Sequence, residues 1–180
     1  MEKNIAFIGL GSNLGGTEFD GPRGVLEAAI SEMPNMGISV KKISPFYESA
    51  PVPMSDQPWF VNAVVAVETP LCARELLHNL HEIEARLGRT RRIRWEARII
   101  DLDIIAFGDL IVPTDGKWPN GAPKEMIIPH PRLHERLFVL KPLMDICPDW
   151  THPALGLSVN ELYGRVKKGG NQSLRPVIEK

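Results

Sequence analysis

Residues 89–108 read Arg-Thr-Arg-Arg-Ile-Arg-Trp-Glu-Ala-Arg-Ile-Ile-Asp-Leu-Asp-Ile-Ile-Ala-Phe-Gly. Five arginines (Arg89, Arg91, Arg92, Arg94 and Arg98) fall within ten residues, and Asp101 and Asp103 follow in a run with no other charge. Ile99 to Phe107 is rich in β-branched residues and stops at Gly108, which predicts a strand. Strand side chains alternate faces, so Asp101 and Asp103 should point one way while Ile100, Leu102 and Ile104 point the other way into a core. Two carboxylates ~5–7 Å apart on a rigid strand repel by roughly 2–3 kcal/mol at an effective dielectric of ~20. Salt bridges to the arginines would offset that repulsion. So would a hard cation, Mg²⁺ above all. The arginines form either a solvated face or, placed beside the carboxylates, an anion site suited to phosphates. A metal plus phosphates is the chemistry this spacing favours.

The elements that must hold these groups can be read in chain order. Asn4 to Leu10 predicts a buried strand that runs into Gly9-x-Gly11-x-x-x-Gly15. Those glycines mark either a tight turn with positive φ or a close approach of backbone to a ligand. The spacing is not that of a dinucleotide-binding turn. Pro22 fits the first turn of a helix whose stripe is Val25, Leu26, Ala29, Ile30 and Met33, stopped by Pro34. Ile38 to Tyr47 predicts a second strand. Glu48 to Pro58 is a stiff loop with Pro51, Pro53 and Pro58, longer than a hairpin needs. Trp59 to Glu68 predicts a third strand, with Phe60, Asn62, Val64 and Ala66 on one face. A buried amide at Asn62 must find partners, in a neighbouring loop or in a ligand.

Thr69-Pro70 predicts the start of a second helix, striped by Leu76, Leu77, Leu80, Ile83 and Leu87 and closed by Gly88. The arginine segment and the aspartate strand follow. Residues 108–128 are irregular, with Pro113, Pro119 and Pro123 and a short hairpin arm pairing Leu110–Val112 with Met126–Ile128. His130, flanked by prolines, is either a structural histidine or a neighbour of a phosphate or metal. Leu133, Leu137, Leu140, Leu143 and Met144 suggest a third helix broken by Pro142. Val159, Leu162 and Val166 make a short amphipathic segment, and the polar tail over 168–180 is expected to fray. Strand, helix, strand, strand, helix, strand is the βαββαβ order of a ferredoxin-like α+β fold, an antiparallel sheet with helices on one face.

A chain of 180 residues with 43% hydrophobic content suits a single domain over 1–180 with a sizeable core. The net charge of −1, from 21 basic and 22 acidic residues, argues against a coat for nucleic acid or an anionic membrane. Cys72 and Cys147 lack metal-ligand spacing and predict buried free thiols in a reducing compartment. The N-terminal apolar run is too short for a signal peptide, and no run approaches the ~18 residues of a membrane span; a soluble cytoplasmic protein is expected. No Walker sequence or protein-kinase signature set is present.

Several short pieces recur together: Gly11-Ser-Asn-Leu14, Phe46-Tyr47 with Ser49-x-Pro51, Asp56-Gln-Pro58, Phe60-x-Asn62, Gly88-Arg89-x-Arg91, Arg94-Trp95, Arg98-x-x-Asp101-Leu-Asp103-Ile104, and Pro129-His130 with Arg136-x-Phe138. In this combination and order the chain resembles the 6-hydroxymethyl-7,8-dihydropterin pyrophosphokinases of folate biosynthesis. The resemblance implies a diphosphotransferase that moves the terminal pyrophosphate of ATP to the hydroxymethyl group of the pterin and releases AMP. It implies two Mg²⁺ ions held by Asp101 and Asp103. Arg89, Arg91 and Arg98 would act with those aspartates in catalysis. Glu84, Arg89, Arg92, Arg98, Ile104, His130 and Arg136 would line the ATP site. Ser49, Ala50, Pro51, Val52, Phe60, Asn62, Trp95, Asp101 and Phe138 would contact the pterin, with Phe60 and Phe138 sandwiching the ring. The long loops would close over the site and exclude water.

The chain departs from the family's usual Trp-Gly-Pro-Arg at Trp95-Glu-Ala-Arg98, and its 113–125 segment is long. ATP and the pterin are the expected partners, with no nucleic acid and no membrane, acting on a monomer. Two other readings are a catalytically silent relative that binds pterin or nucleotide only, and an RNA-binding module of the same strand order. The second lacks the glycine and aromatic pattern that such modules carry on their third strand.

Overall fold

The computed structural model describes residues 3–15, 18–88, 99–120 and 125–178. Its strands are β1 (Asn4–Ser12), β2 (Ser39–Ile43), β3 (Tyr47–Ser49), β4 (Phe60–Thr69), β5 (Asp101–Phe107) and β6 (Leu174–Pro176). Its α-helices are α1 (Gly21–Glu32), α2 (Ala73–Arg86), α3 (Leu137–Ile146) and α4 (Val159–Gly169). The sheet runs β5-β1-β4-β3-β6, with β2 also paired to β4, and each pairing is antiparallel. β1 and β4 are therefore central. The fold is a mixed one of helices on an antiparallel sheet.

Alternation on the central strands makes two apolar layers. Ala6, Ile8 and Leu10 of β1, Val61, Ala63, Val65 and Val67 of β4, and Leu102 and Ile104 of β5 share a core with Val25, Leu26 and Ala29 of α1 and Leu76, Leu80 and Ile83 of α2. Phe7, Val64, Ile105 and Ala106 face the other way and pack with Val139, Leu140 and Leu143 of α3 and Val159 and Leu162 of α4. Helices thus cover both faces, not one as the strand order alone suggested. The reason is β4, whose Val64 and Ala66 are as apolar as the residues between them and need a second cover. That second layer stops short of the far ends of β1, β4 and β5, where Gly9, Gly11, Asn62, Asp101 and Asp103 line an open cavity.

Several boundaries differ from the sequence reading. The predicted second strand is two strands, because Ser44 interrupts it. The Ser44 Oγ accepts the Val64 N–H at 3.0 Å, and the Pro45 that follows has no N–H to give a ladder. Thr69 ends β4 and does not cap α2; its hydroxyl donates to the Gly37 carbonyl at 2.9 Å and accepts the Leu71 N–H at 3.2 Å. α2 opens four residues later, where the Glu75 carboxylate accepts the Cys72 N–H at 2.8 Å. Pro142 sits inside α3 without ending it. The hairpin arm is reduced to one bridge between Val112 and Ile128. The fourth strand begins at Asp101 and not at Ile99. Cys72 is exposed, against the expected burial, and both thiols are free. The tail, expected to fray, supplies β6, which pairs with β3.

Candidate active site

Gly9 and Gly11 lie within β1 and are not the turn residues they resembled; neither has a positive φ. In the β1–β5 ladder Gly11 stands opposite Asp101 and Gly9 opposite Asp103, and Gly11 also pairs with Asn62 of β4. Two glycines spaced by two leave one face of β1 without side chains. The two carboxylates and the amide flank that bare strip. It forms the floor of a cavity of about 450 Å³.

The walls come from three further places. Ser49 at the end of β3 and the Ala50-Pro51-Val52-Pro53 loop form one side. Phe60 at the start of β4 lies beside Asn62, and Arg136 and Phe138 stand at the start of α3 on the opposite side. The Asn62 side chain is buried and donates to Ser49 Oγ at 2.8 Å. That bond fixes the amide's orientation while the residue still lines the cavity, so the structural and the ligand-facing readings of Asn62 describe the same position. The eight described residues among the nine expected around a pterin all line this one cavity.

A second, smaller cavity of about 190 Å³ lies over the edge of β5 and is lined by Leu77, Asp103, Ile104, Met126, Ile128 and His130, among others. Asp103 lines both cavities and so stands at their junction. His130 is tied to β5 by its N–H, which donates to the Ile105 carbonyl at 2.9 Å. Its Nδ1 accepts the Arg132 N–H at 3.1 Å, leaving the hydrogen of the neutral ring on Nε2. Burial, reinforced by the positive charges of Arg136 and Arg132 and opposed by Asp101, pushes the His130 pKa down to about 4. The ring is neutral at pH 7. The Arg136 guanidinium is likewise lowered by burial and by Arg132, while Asp103 and Asp101 hold it charged. Both carboxylates therefore act electrostatically on the α3 end of the cavity.

Among the described residues no three or more His, Cys, Asp or Glu side chains converge on one point. The donors present are carboxylate oxygens on one strand face. That set fits an ion such as Mg²⁺, which takes few protein carboxylates and completes its shell with water and phosphate oxygens.

Glu84 is not among the residues that line these two cavities. It is 1% exposed on α2 and accepts the Leu102 N–H at 2.7 Å, a donor on the edge of β5 that no strand among the described residues takes up. Arg89, Arg91, Arg92, Trp95 and Arg98 fall outside the described residues. The two ends of their segment meet beside the site: a Cβ on Gly88 would lie 3.6 Å from Ile99 Cδ1, and the Ser12 hydroxyl at the end of β1 lies against the Ile99 carbonyl. Arg132 and Gln57 also line the larger cavity; nothing in the local pattern marks Arg132, and Gln57, although part of the Asp56-Gln-Pro58 piece, had been given no role. Sequence reasoning left Gly9 and Gly11 open between a tight turn and a backbone close to a ligand; their place within β1 on the cavity floor excludes the turn, and their spacing of two, which matches that of Asp101 and Asp103, was a readable signal.

Residues 7–148 match the family model described as 7,8-dihydro-6-hydroxymethylpterin-pyrophosphokinase (HPPK). The chain is 41% identical over 92% of its length to a Bacillus subtilis protein named 2-amino-4-hydroxy-6-hydroxymethyldihydropteridine pyrophosphokinase, and spans 91% of it. It is 40% identical over 99% of its length to the Pneumocystis carinii folic acid synthesis protein fol1, of which it spans only 22%. Its fold is similar to that of Plasmodium falciparum HPPK-DHPS in a crystal structure with pteroate, with a TM-score of 0.66 at 16% identity, covering 91% of this chain and 42% of that one.

Proposed function

The chain belongs to the 7,8-dihydro-6-hydroxymethylpterin-pyrophosphokinase family, and from that premise we propose that it transfers the terminal pyrophosphate of ATP to the hydroxymethyl group of 6-hydroxymethyl-7,8-dihydropterin, releasing AMP, as a step of folate biosynthesis. The observation that carries the reading is Asp103, shared by two cavities whose linings suit the two substrates. The pterin takes the larger one. Phe60 and Phe138 flank its ring, the Asn62 carboxamide meets its amide-like edge, and the Ser49–Val52 backbone closes its side. ATP takes the smaller one, its base near Leu77 and Ile104. His130, neutral at pH 7, offers Nε2–H to a phosphate oxygen, and Arg136 offers a guanidinium from the other side.

Phosphoryl-type transfer is mainly a matter of positioning and charge neutralisation. Asp101 and Asp103 would hold two Mg²⁺ ions, which supply positive charge to the triphosphate when bound. The rigid β5 strand fixes the two carboxylates between pterin and nucleotide, so that the hydroxymethyl oxygen faces the β-phosphorus. Arg89, Arg91, Arg92 and Arg98 would complete the phosphate site, and Trp95 would cover the pterin. The strand order, with β1 and β4 central between β5 and the β2–β3 pair, supports reading the core as ferredoxin-like. No helix among the described residues is long and apolar enough to cross a membrane. A cytoplasmic monomer forming one domain is the form we propose.

Incubation with ATP, Mg²⁺ and 6-hydroxymethyl-7,8-dihydropterin, followed by chromatography of the nucleotides, tests this. AMP in step with pterin consumption is expected. ADP would mean an ordinary kinase. No nucleotide product together with pterin binding would mean a silent relative.

A further inference from the structure

The segment after residue 148 lies beyond the span of the family match, yet its tail crosses both walls of the larger cavity. On one wall β6 pairs with β3, with Leu174 opposite Ser49, and the Ala50 N–H donates to the Ser173 carbonyl at 3.4 Å. The tail is held there by Arg175, whose guanidinium lies 2.6 Å from the Glu48 carboxylate and 4.5 Å from the Trp59 ring centroid, and by the Val177 N–H on the Phe46 carbonyl at 2.9 Å.

On the other wall stands Gln172. Its Oε1 accepts the Leu137 N–H at 3.0 Å and its Nε2 donates to the Glu135 carbonyl at 2.6 Å. Leu137 is the first residue of α3, and no side chain caps that helix from Arg136, its N-cap. The first amides of a helix have no partner within it. Gln172 supplies one from 35 residues away in sequence. Its two bonds fall on the peptide units on either side of Arg136, so one carboxamide fixes the backbone from which the Arg136 side chain enters the cavity. Phe138 is two residues further into the same first turn.

We propose that Gln172 is a positioning residue for the transfer reaction: it clamps the Glu135–Leu137 backbone so that Arg136 and Phe138 face the substrates across the cavity from the β3 wall. The inference rests on the function proposed above and deepens it. It gives the C-terminal tail a part in the site: one strap, running from Gln172 to Val177, ties the Arg136 and Ser49 walls at a fixed separation. A glutamine suits the role because it both accepts and donates. The acceptor is the more demanding half. The amide it serves is partly buried, whereas the Glu135 carbonyl is at an exposed site where water can replace Nε2.

The test compares the wild type with Gln172→Ala and Gln172→Glu. The glutamate keeps an acceptor for the Leu137 N–H and loses the donor. Calorimetric titration with 6-hydroxymethylpterin is run beside the turnover assay, and thermal unfolding reports the folded fraction. Misplacing a substrate-positioning group costs roughly 10- to 100-fold. Gln172→Ala is expected to lower kcat/KM about tenfold or more and to weaken pterin binding, with the protein still fully folded at the assay temperature. Gln172→Glu is expected to restore most of that loss. Wild-type kinetic constants and pterin affinity in Gln172→Ala would overturn the proposal. So would a loss that only follows the unfolded fraction and that Gln172→Glu does not relieve. If the wild type releases no AMP, the reading of the reaction fails, and pterin binding alone decides on the clamp.

Discussion

Gly9 stands directly opposite Asp103 in the β1–β5 ladder, and a Cβ built on it would come within 2.8 Å of Ile105 Cδ1. The same construction on Gly11, opposite Asp101, meets Asn62 Oδ1 at 3.4 Å, an ordinary contact. The two positions separate fold from site. Gly11→Ala should keep the thermal midpoint near that of the wild type. Its methyl on the cavity floor should raise KM for the pterin roughly tenfold, the scale of one misfitting methyl group. Steady-state kinetics with the pterin varied checks this. An unchanged KM would place the pterin elsewhere.

Asp101→Asn and Asp103→Asn each keep the shape of the side chain and remove its charge. Each should leave circular dichroism unchanged and cut Mg²⁺-dependent turnover by at least about a hundredfold, within the range seen when one stabilising group is removed from a charged transition state. Because Asp103 lines both cavities and Asp101 only the larger, Asp103→Asn should also raise KM for ATP more than Asp101→Asn does. Varying each substrate at saturating levels of the other measures the difference.

How far the site could be read from sequence depends on the element. The aspartate strand was legible because alternation and β-branching act locally, and Ile100, Leu102 and Ile104 do enter the α1–α2 core. The Asn62 face of β4 was legible for the same reason. Gly9 and Gly11 stayed open between a tight turn and a backbone close to a ligand, because two nearby glycines are compatible with both. Only the ladder to β5, a pairing over some ninety residues, tells the two apart. Thr69-Pro70 looked like a helix start, but its hydroxyl is taken by Gly37, and Glu75 fixes the cap instead. Gln172 carries no local signal, since both its partners lie more than thirty residues away.

His152 gives a pH dependence that sits outside the site. Its ring is fully buried against Trp118, Trp150 and His134, with centroids at 4.8, 5.6 and 6.2 Å. Burial, with a smaller push from His134, lowers its pKa to about 4. Its Nδ1 accepts the Ala154 and Leu155 N–H groups, both at 3.2 Å. The folded state holds it neutral, while the unfolded chain takes up a proton below about 6.5. Stability should thus be full above about pH 6.5, fall as the pH drops toward 4, and level off below that. His130 acts in the same direction. His152→Asn keeps an acceptor for the turn and removes one titration, so it should flatten the acid side of a midpoint-against-pH curve by about half. A slope equal to that of the wild type would assign the dependence to other groups.

Glu84 should matter to the fold before it matters to the reaction. Glu84→Ala leaves the Leu102 N–H of an edge strand without its buried acceptor. The cost should be about 1–3 kcal/mol, read as a lower urea midpoint with an unchanged slope. KM for ATP in the remaining folded enzyme should be close to that of the wild type. A selective rise in KM without loss of stability would move Glu84 into the nucleotide site.

The most direct test follows the β-phosphorus, because the account requires the hydroxymethyl oxygen to attack there and not at the γ-phosphorus. With ATP labelled by ³²P at the β position only, the label should pass to the pterin and disappear from the nucleotide pool as AMP forms. The same transfer should be absent in Asp103→Asn. Label retained in a nucleotide diphosphate, with pterin consumed, would contradict the placement of the two substrates around Asp103.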